Sequence, residues 1–250
     1  MTELEAIRAA ARELIASHAR RPVWNVREND RQAVTTRLLR DRLDGPQGIP
    51  VTRLVGGSPR KFKQLSTPTG LRTSRVHTEL KLSSNLTKSG HSSDRYDVVV
   101  LRERGVALKR DNYGPCNLEL VVHAADVAAV VELKSESFEF RPSGRAGLHG
   151  GQVDFEKLLE LACWCGRHEI APPLLVQIIV DTGVPVGQLG WQITPWQDQR
   201  KPGWRWPVEA EDVGRHCPSD TTVYCFTLGE DIGPVEWRWT VASGWRAQRG

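Results

Sequence analysis

The chain has 250 residues, of which 39% are hydrophobic and 26% charged. Those proportions allow one sizeable core and exclude wholesale disorder, collagen and an extended coiled coil. The formal charge of +4 divides unevenly: residues 1–95 carry 18 Lys and Arg against 9 Asp and Glu, and residues 96–250 carry 16 against 21. The first part suits polyanionic partners and the second an acidic site, although ordinary solvated faces explain the split equally well.

Residues 2–20 read as an amphipathic helix, with Leu4, Ile7, Ala11, Leu14 and Ile15 at helical spacing and Thr2 with Glu5 forming a capping box. Pro22 ends it. A second helix is expected from about residue 25 to 43, opened by Asn25 with Glu28 and closed by Asp44, Gly45 and Pro46. Residues 45–70 are rich in Gly, Pro, Ser and Thr and read as irregular loop around a basic knot, RKFK, at 60–63.

From residue 73 the period changes to two. Val76, Thr78, Leu80 and Leu82 predict a half-buried strand, and RYDVVVLR at 95–102 predicts another after the turn-forming SGHSSD. Residues 103–125 form a connection that contains one more strand, LELVV, and Asp126 is expected to cap a short helical turn. VAAVVELK has the near-continuous apolar character of a strand buried on both faces. A Gly-rich stretch then leads into a helix, QVDFEKLLELACWC, and LLVQIIV gives a further buried strand. This order predicts a mixed α/β class with a central mixed sheet flanked by helices. Residues 1–184 are expected to form the core. Residues 185–250 read as a Trp- and Pro-rich extension packed on it, containing six of the nine tryptophans between Trp191 and Trp239 and a terminal strand, VEWRWTV.

The longest apolar run, PPLLVQIIV, is about half the roughly 18 residues a membrane helix needs, and the N-terminus lacks an apolar signal segment. A cytoplasmic protein without membrane partners is expected. Five cysteines, an odd number, suit reduced thiols better than a disulfide framework.

The chemistry concentrates at two strands. Asp97 lies on one, and Glu132 with Lys134 closes another; residues i and i+2 of a strand share a face, so the last two project together. Charges at the end of an apolar strand are costly unless paired or metal-bound. If the strands are neighbours, Asp97 and Glu132 would hold a hard divalent cation such as Mg²⁺, and Lys134 would act on the attacking water or the phosphate.

RYDVVVLR, then VAAVVELKSES, then QVDFEKLLEL resembles the PD-(D/E)XK nuclease superfamily over about residues 25–181. Tyr96 stands where the motif's proline would be, and the interval between Asp97 and Glu132 is long. The resemblance implies a restriction-endonuclease-like core and Mg²⁺-dependent DNA hydrolysis, with Mn²⁺ as substitute. It implies catalytic Asp97, Glu132 and Lys134, with Glu28 as the acid of an early helix and Gln152 or Lys157 as support from the later helix. It also implies duplex DNA as substrate, a homodimer or higher homo-oligomer because two antiparallel strands need two sites, and a prokaryotic role in restriction or antiviral defence. Arg60, Lys61, Lys63, Arg72 and Arg75 are the candidates for phosphate contact, which would set position and salt dependence. Alternatives are a non-catalytic nucleic-acid-binding module on the same fold, or a nuclease for RNA or DNA repair intermediates.

Structural explanations compete at several positions. Glu132 with Lys134 would also suit an exposed ion pair, Asp97 an edge charge, Glu28 a helix cap, and Lys157 a solvated helix face. Glu79 with Lys81 imitates the Glu-x-Lys pattern but lacks the preceding apolar run. Cys163, Cys165 and His168, with His216, Cys217 and Cys225 as conceivable partners, raise a zinc question, but CxCxxH does not place three ligands on one helix face, and the cysteines read better as buried free thiols. The tryptophans suit packing better than base stacking.

Overall fold

The computed structural model describes residues 1–20, 28–57, 63–64, 70–84, 91–112, 118–134, 150–180, 215–228 and 234–248. Helix α1 (Glu3–Arg20) begins with the reciprocal cap its sequence predicts. The Thr2 amide donates to Glu5 Oε2 at 2.8 Å, and the Glu5 amide to Thr2 Oγ1 at 3.3 Å. Its stripe of Ala6, Ile7, Ala10, Ala11, Leu14 and Ile15 is fully buried. Helix α2 (Glu28–Leu43) adds Leu38, Leu39 and Leu43 to the same layer; the expected cap at Asn25 lies outside the described residues.

The strands are β1 (Ile49–Gly57), β2 (Lys63–Gln64), β3 (Arg72–Thr73), β4 (Val76–Ser83), β5 (His91–Leu101), β6 (Val106–Asn112), β7 (Leu118–His123), β8 (Val127–Lys134), β9 (Leu174–Ile179), β10 (Thr222–Leu228), β11 (Pro234–Thr240) and β12 (Gly244–Gln248). Among the described residues they form one mixed sheet in the order β12-β11-β10-β9-β8-β5-β4-β7-β6-β1-β2, with β3 paired to β1. Helix α3 (Gly150–Arg167) covers the face opposite α1 and α2. The architecture is therefore mixed α/β, a central sheet between helical layers.

The apolar run of β8 explains why it lies mid-sheet. Ala129, Val131 and Leu133 pack toward α1 and α2, whereas Val127 and Val130 pack toward α3. A strand buried on both faces stays in place because either slip would expose one set. It pairs antiparallel with β5 and parallel with β9.

Three expectations are corrected. Residues 45–70 are not all loop: β1 runs for nine residues, paired in parallel with β6. Its period of two is hidden by Pro50 and by a register shift between Val51 and Arg53. Gly48 precedes it at φ +63°, where a Cβ would meet Thr73 O at 2.3 Å, so only glycine permits that approach. The connection at 103–125 holds β6 as well as β7. The short 3₁₀ turn at Ala124–Asp126 is capped by His123, while Asp126 accepts from the Ala107 amide at 2.9 Å.

The C-terminal strands continue the sheet. β10 lies parallel to β9, with Val223 opposite Leu175 and Phe226 opposite Ile178. Arg8 of α1 donates from Nε and Nη2 to the Glu236 carboxylate at 2.8 and 2.7 Å, which fastens β11 to the first helix. Trp239 is 4% exposed and meets Phe155 of α3 edge to face at 5.5 Å between centroids. Packing thus accounts for this tryptophan; Trp191, Trp196, Trp204 and Trp206 lie outside the described residues. No helix is long and apolar enough to cross a membrane among the described residues.

Candidate active site

Pairing of Val98 with Val131 leads β5 and β8 to a point where Asp97 and Glu132 lie at neighbouring positions. There the backbone ladder gives way to a side chain: the Leu133 amide donates to Asp97 Oδ2 at 2.7 Å. The strand that carries Glu132 and Lys134 therefore fixes the aspartate directly. From α2, Gln32 Nε2 donates to the Asp97 carbonyl at 2.7 Å and to Glu79 Oε1 at 3.0 Å.

Helix α3 supplies the opposite side. Lys157 Nζ lies 2.8 Å from Glu132 Oε1, and Lys134 Nζ lies 3.3 Å from Asp154 Oδ2. Lys157 also donates to the Arg95 carbonyl, and its ammonium sits 4.8 Å from the centre of the Tyr96 ring. These contacts follow from the sequence locally: Val130, Glu132 and Lys134 alternate on β8, so the charged pair continues the row that faces α3. Phe155, Leu158, Leu159 and Ala162 fix that helix in the core.

Burial sets the electrostatics. Glu132 is 2% exposed. Its pKa is raised well above the ordinary range, first by burial and then by the Asp97 charge, with Lys157 opposing. Asp97 is raised by burial, against the Leu133 amide and Lys157, which favour its charged form. Asp154 is pushed up to about 6 by burial, opposed chiefly by Lys134. Two buried carboxylates, Glu132 and Asp154, and the half-buried Asp97 thus face two lysines, and additional positive charge is what such a set favours.

Asp97, Glu132, Lys134 and Lys157, all named from sequence, are brought together. Gln152 belongs to α3 and Glu28 is the first residue of α2, four before Gln32. Asp154 and Gln32 were missed. Asp154 was legible as the polar residue three before Lys157 on the same helix, whereas no local pattern announces Gln32. Glu79 is exposed, in a left-handed conformation at φ +57°, and its charge raises Asp97.

The basic candidates separate. Arg60 and Lys61 lie outside the described residues, and Lys63 belongs to β2. Arg72 is exposed but donates to the Gln47 and Gly48 carbonyls at 2.6 and 2.7 Å, closing the turn before β1. Arg75 is corrected to an internal structural residue. It is 3% exposed and donates to the carbonyls of Leu101 and Leu43 and to the carboxylates of Glu103 and Glu3, so it offers no surface to a phosphate.

No cluster of three or more His, Cys, Asp or Glu able to enclose an ion occurs among the described residues. Cys163, Cys165, Cys217 and Cys225 are buried and reduced, and burial pushes the Cys165 thiol up to about 12. The oxygen donors of Asp97 and Glu132 still fit a hard divalent cation, because Mg²⁺ commonly takes one or two carboxylates and completes its shell with water and phosphate oxygen.

No protein-family model matches the chain, and no curated protein matches it. Two solved structures of NucC in cAAA-bound form, from P. aeruginosa ATCC27853 and E. coli MS115-1, align with 100% of this chain and with 85% and 84% of theirs. Identity is 9% in both cases, and the TM-scores are 0.39 and 0.36. At that distance, function is read from the residues of the site.

Proposed function

We propose that this chain is a divalent-metal-dependent nuclease that hydrolyses phosphodiester bonds in DNA, with Asp97 and Glu132 as metal ligands and Lys134 as the catalytic lysine. The observation that carries this reading is the meeting of Asp97 with Glu132 on adjacent strands, clamped by the Leu133 amide, with Lys134 close by. Mg²⁺, or Mn²⁺ in its place, would supply Lewis-acid activation of water and phosphate when bound. The chain's own residues do the rest. The Leu133 amide holds the Asp97 carboxylate in place, Lys157 favours the charged form of Glu132, and Lys134 Nζ orients water or offsets charge developing on a phosphate oxygen.

The excess of Lys and Arg in residues 1–95 supports a polyanionic substrate. The superfamily resemblance supports duplex DNA, a homodimer or higher homo-oligomer and a role in prokaryotic restriction or antiviral defence, and an N-terminal sequence without an apolar signal segment supports a cytoplasmic location. One observation favours a second reading, a nucleic-acid-binding module without catalysis: Lys157 already offsets the charge of Glu132. Titration calorimetry with Mn²⁺ separates the two. The nuclease reading expects a binding isotherm that Glu132→Ala removes; no binding, or binding unchanged in that variant, would refute the assigned site.

A further inference from the structure

The two ion pairs between β8 and α3 form a matched set. The strand offers Glu132 and Lys134, two residues apart; the helix offers Asp154 and Lys157, three apart. Glu132 takes Lys157 and Lys134 takes Asp154, at 2.8 and 3.3 Å. The charges therefore alternate along both elements, and the pairing runs in opposite directions on strand and helix. Exchanging partners would place Glu132 against Asp154 and Lys134 against Lys157.

Lys134 is the last residue of β8 and its side chain is 22% exposed. A lysine there has a four-carbon stem with many rotamers, and an ammonium that must meet one reacting oxygen gains from being held. Asp154 is well suited to hold it. Its side chain is 10% exposed, it sits one turn into α3, and the next residue, Phe155, is 1% exposed and anchored against Trp239. The backbone that carries the carboxylate is thus fixed by the core, and surface motion does not decide where it points.

We infer that Asp154 is the positioning residue for Lys134, directing the ammonium toward the substrate phosphate while Lys157 occupies Glu132. This rests on the nuclease reading for the reaction, but the contact itself can be tested without it.

The experiment compares the full chain with Asp154→Asn and Asp154→Glu in two measurements. In the first, lysines are acetylated briefly and the modified sites are counted by mass spectrometry. Loss of the carboxylate charge should raise Lys134 modification several-fold over the parent protein, whereas Asp154→Glu should leave it near the parent value. The second is Mg²⁺-supported plasmid cleavage. Asp154→Asn should lower kcat by roughly 10–100-fold, the usual range for a partner that orients an active group. KM for DNA and Mn²⁺ affinity by calorimetry should be retained, and Asp154→Glu should recover part of kcat. A purely structural role predicts lost thermal stability with kcat unchanged in the folded fraction, and that result would overturn the inference. Unchanged Lys134 modification in Asp154→Asn would overturn it as well. Absence of cleavage by the parent protein would instead overturn the nuclease reading, and with it the catalytic role given to Asp154.

Discussion

The carboxylate of Asp154 gives a stability test that needs no substrate. Its pKa lies near 6 in the folded protein against an ordinary value of 3.8. The folded state therefore binds this proton more tightly than the unfolded chain does, and protonation favours folding. The contribution is most favourable below pH 3.8; it is lost as pH rises through 6, where burial of the charged form costs its full amount. The full difference is on the order of 3 kcal/mol, and about 2 kcal/mol of it falls between pH 4.5 and 7.5. Asp154→Asn removes that titration while keeping the shape of the group. Urea unfolding followed by tryptophan fluorescence, with chelator and at constant ionic strength, should therefore show the variant gaining about 2 kcal/mol relative to the parent from pH 4.5 to 7.5. A difference that is flat with pH, or that falls as pH rises, would refute the assignment of this carboxylate as buried at the cost of its charge.

Two further perturbations test the scaffold. Arg75→Gln leaves the buried carbonyls of Leu101 and Leu43 short of donors, whereas its ion partners Glu3 and Glu103 are 38% and 79% exposed and contribute little; a loss of about 2–4 kcal/mol in urea unfolding is expected. DNA affinity by fluorescence anisotropy should not change, and a lowered affinity in the folded variant would return Arg75 to the binding surface. Gly166→Ala places a Cβ 1.9 Å from the His216 carbonyl, so the segment before β10 must shift; a destabilisation of about 1–3 kcal/mol is expected, and a neutral result would contradict the close packing of α3 against it.

Much of the site was legible because its elements are local and strongly patterned. VAAVVELK announces a strand buried on both faces, and the two charges that end it announce a cost that something must offset. Asp97 was legible for the same reason, sitting before the apolar VVVL. Features that depend on tertiary contact were harder to read. Glu132 finds Lys157 and Lys134 finds Asp154 only because α3 crosses that part of the sheet, and Gln32 reaches Asp97 across 65 residues of sequence. Arg75 was misread because a basic residue beside a loop looks solvated until Glu3, Glu103 and two carbonyls close around it. β1 was missed because Pro50 and a bulge at Val51 to Arg53 break the alternation that identifies a half-buried strand.

The nuclease claim is tested most directly by cleavage of supercoiled plasmid in Mg²⁺ with the purified chain and its Lys134→Ala variant, each checked for folding by circular dichroism. Nicked or linear product is expected from the parent, none with chelator, and none from Lys134→Ala. Equal cleavage by parent and variant would contradict the claim.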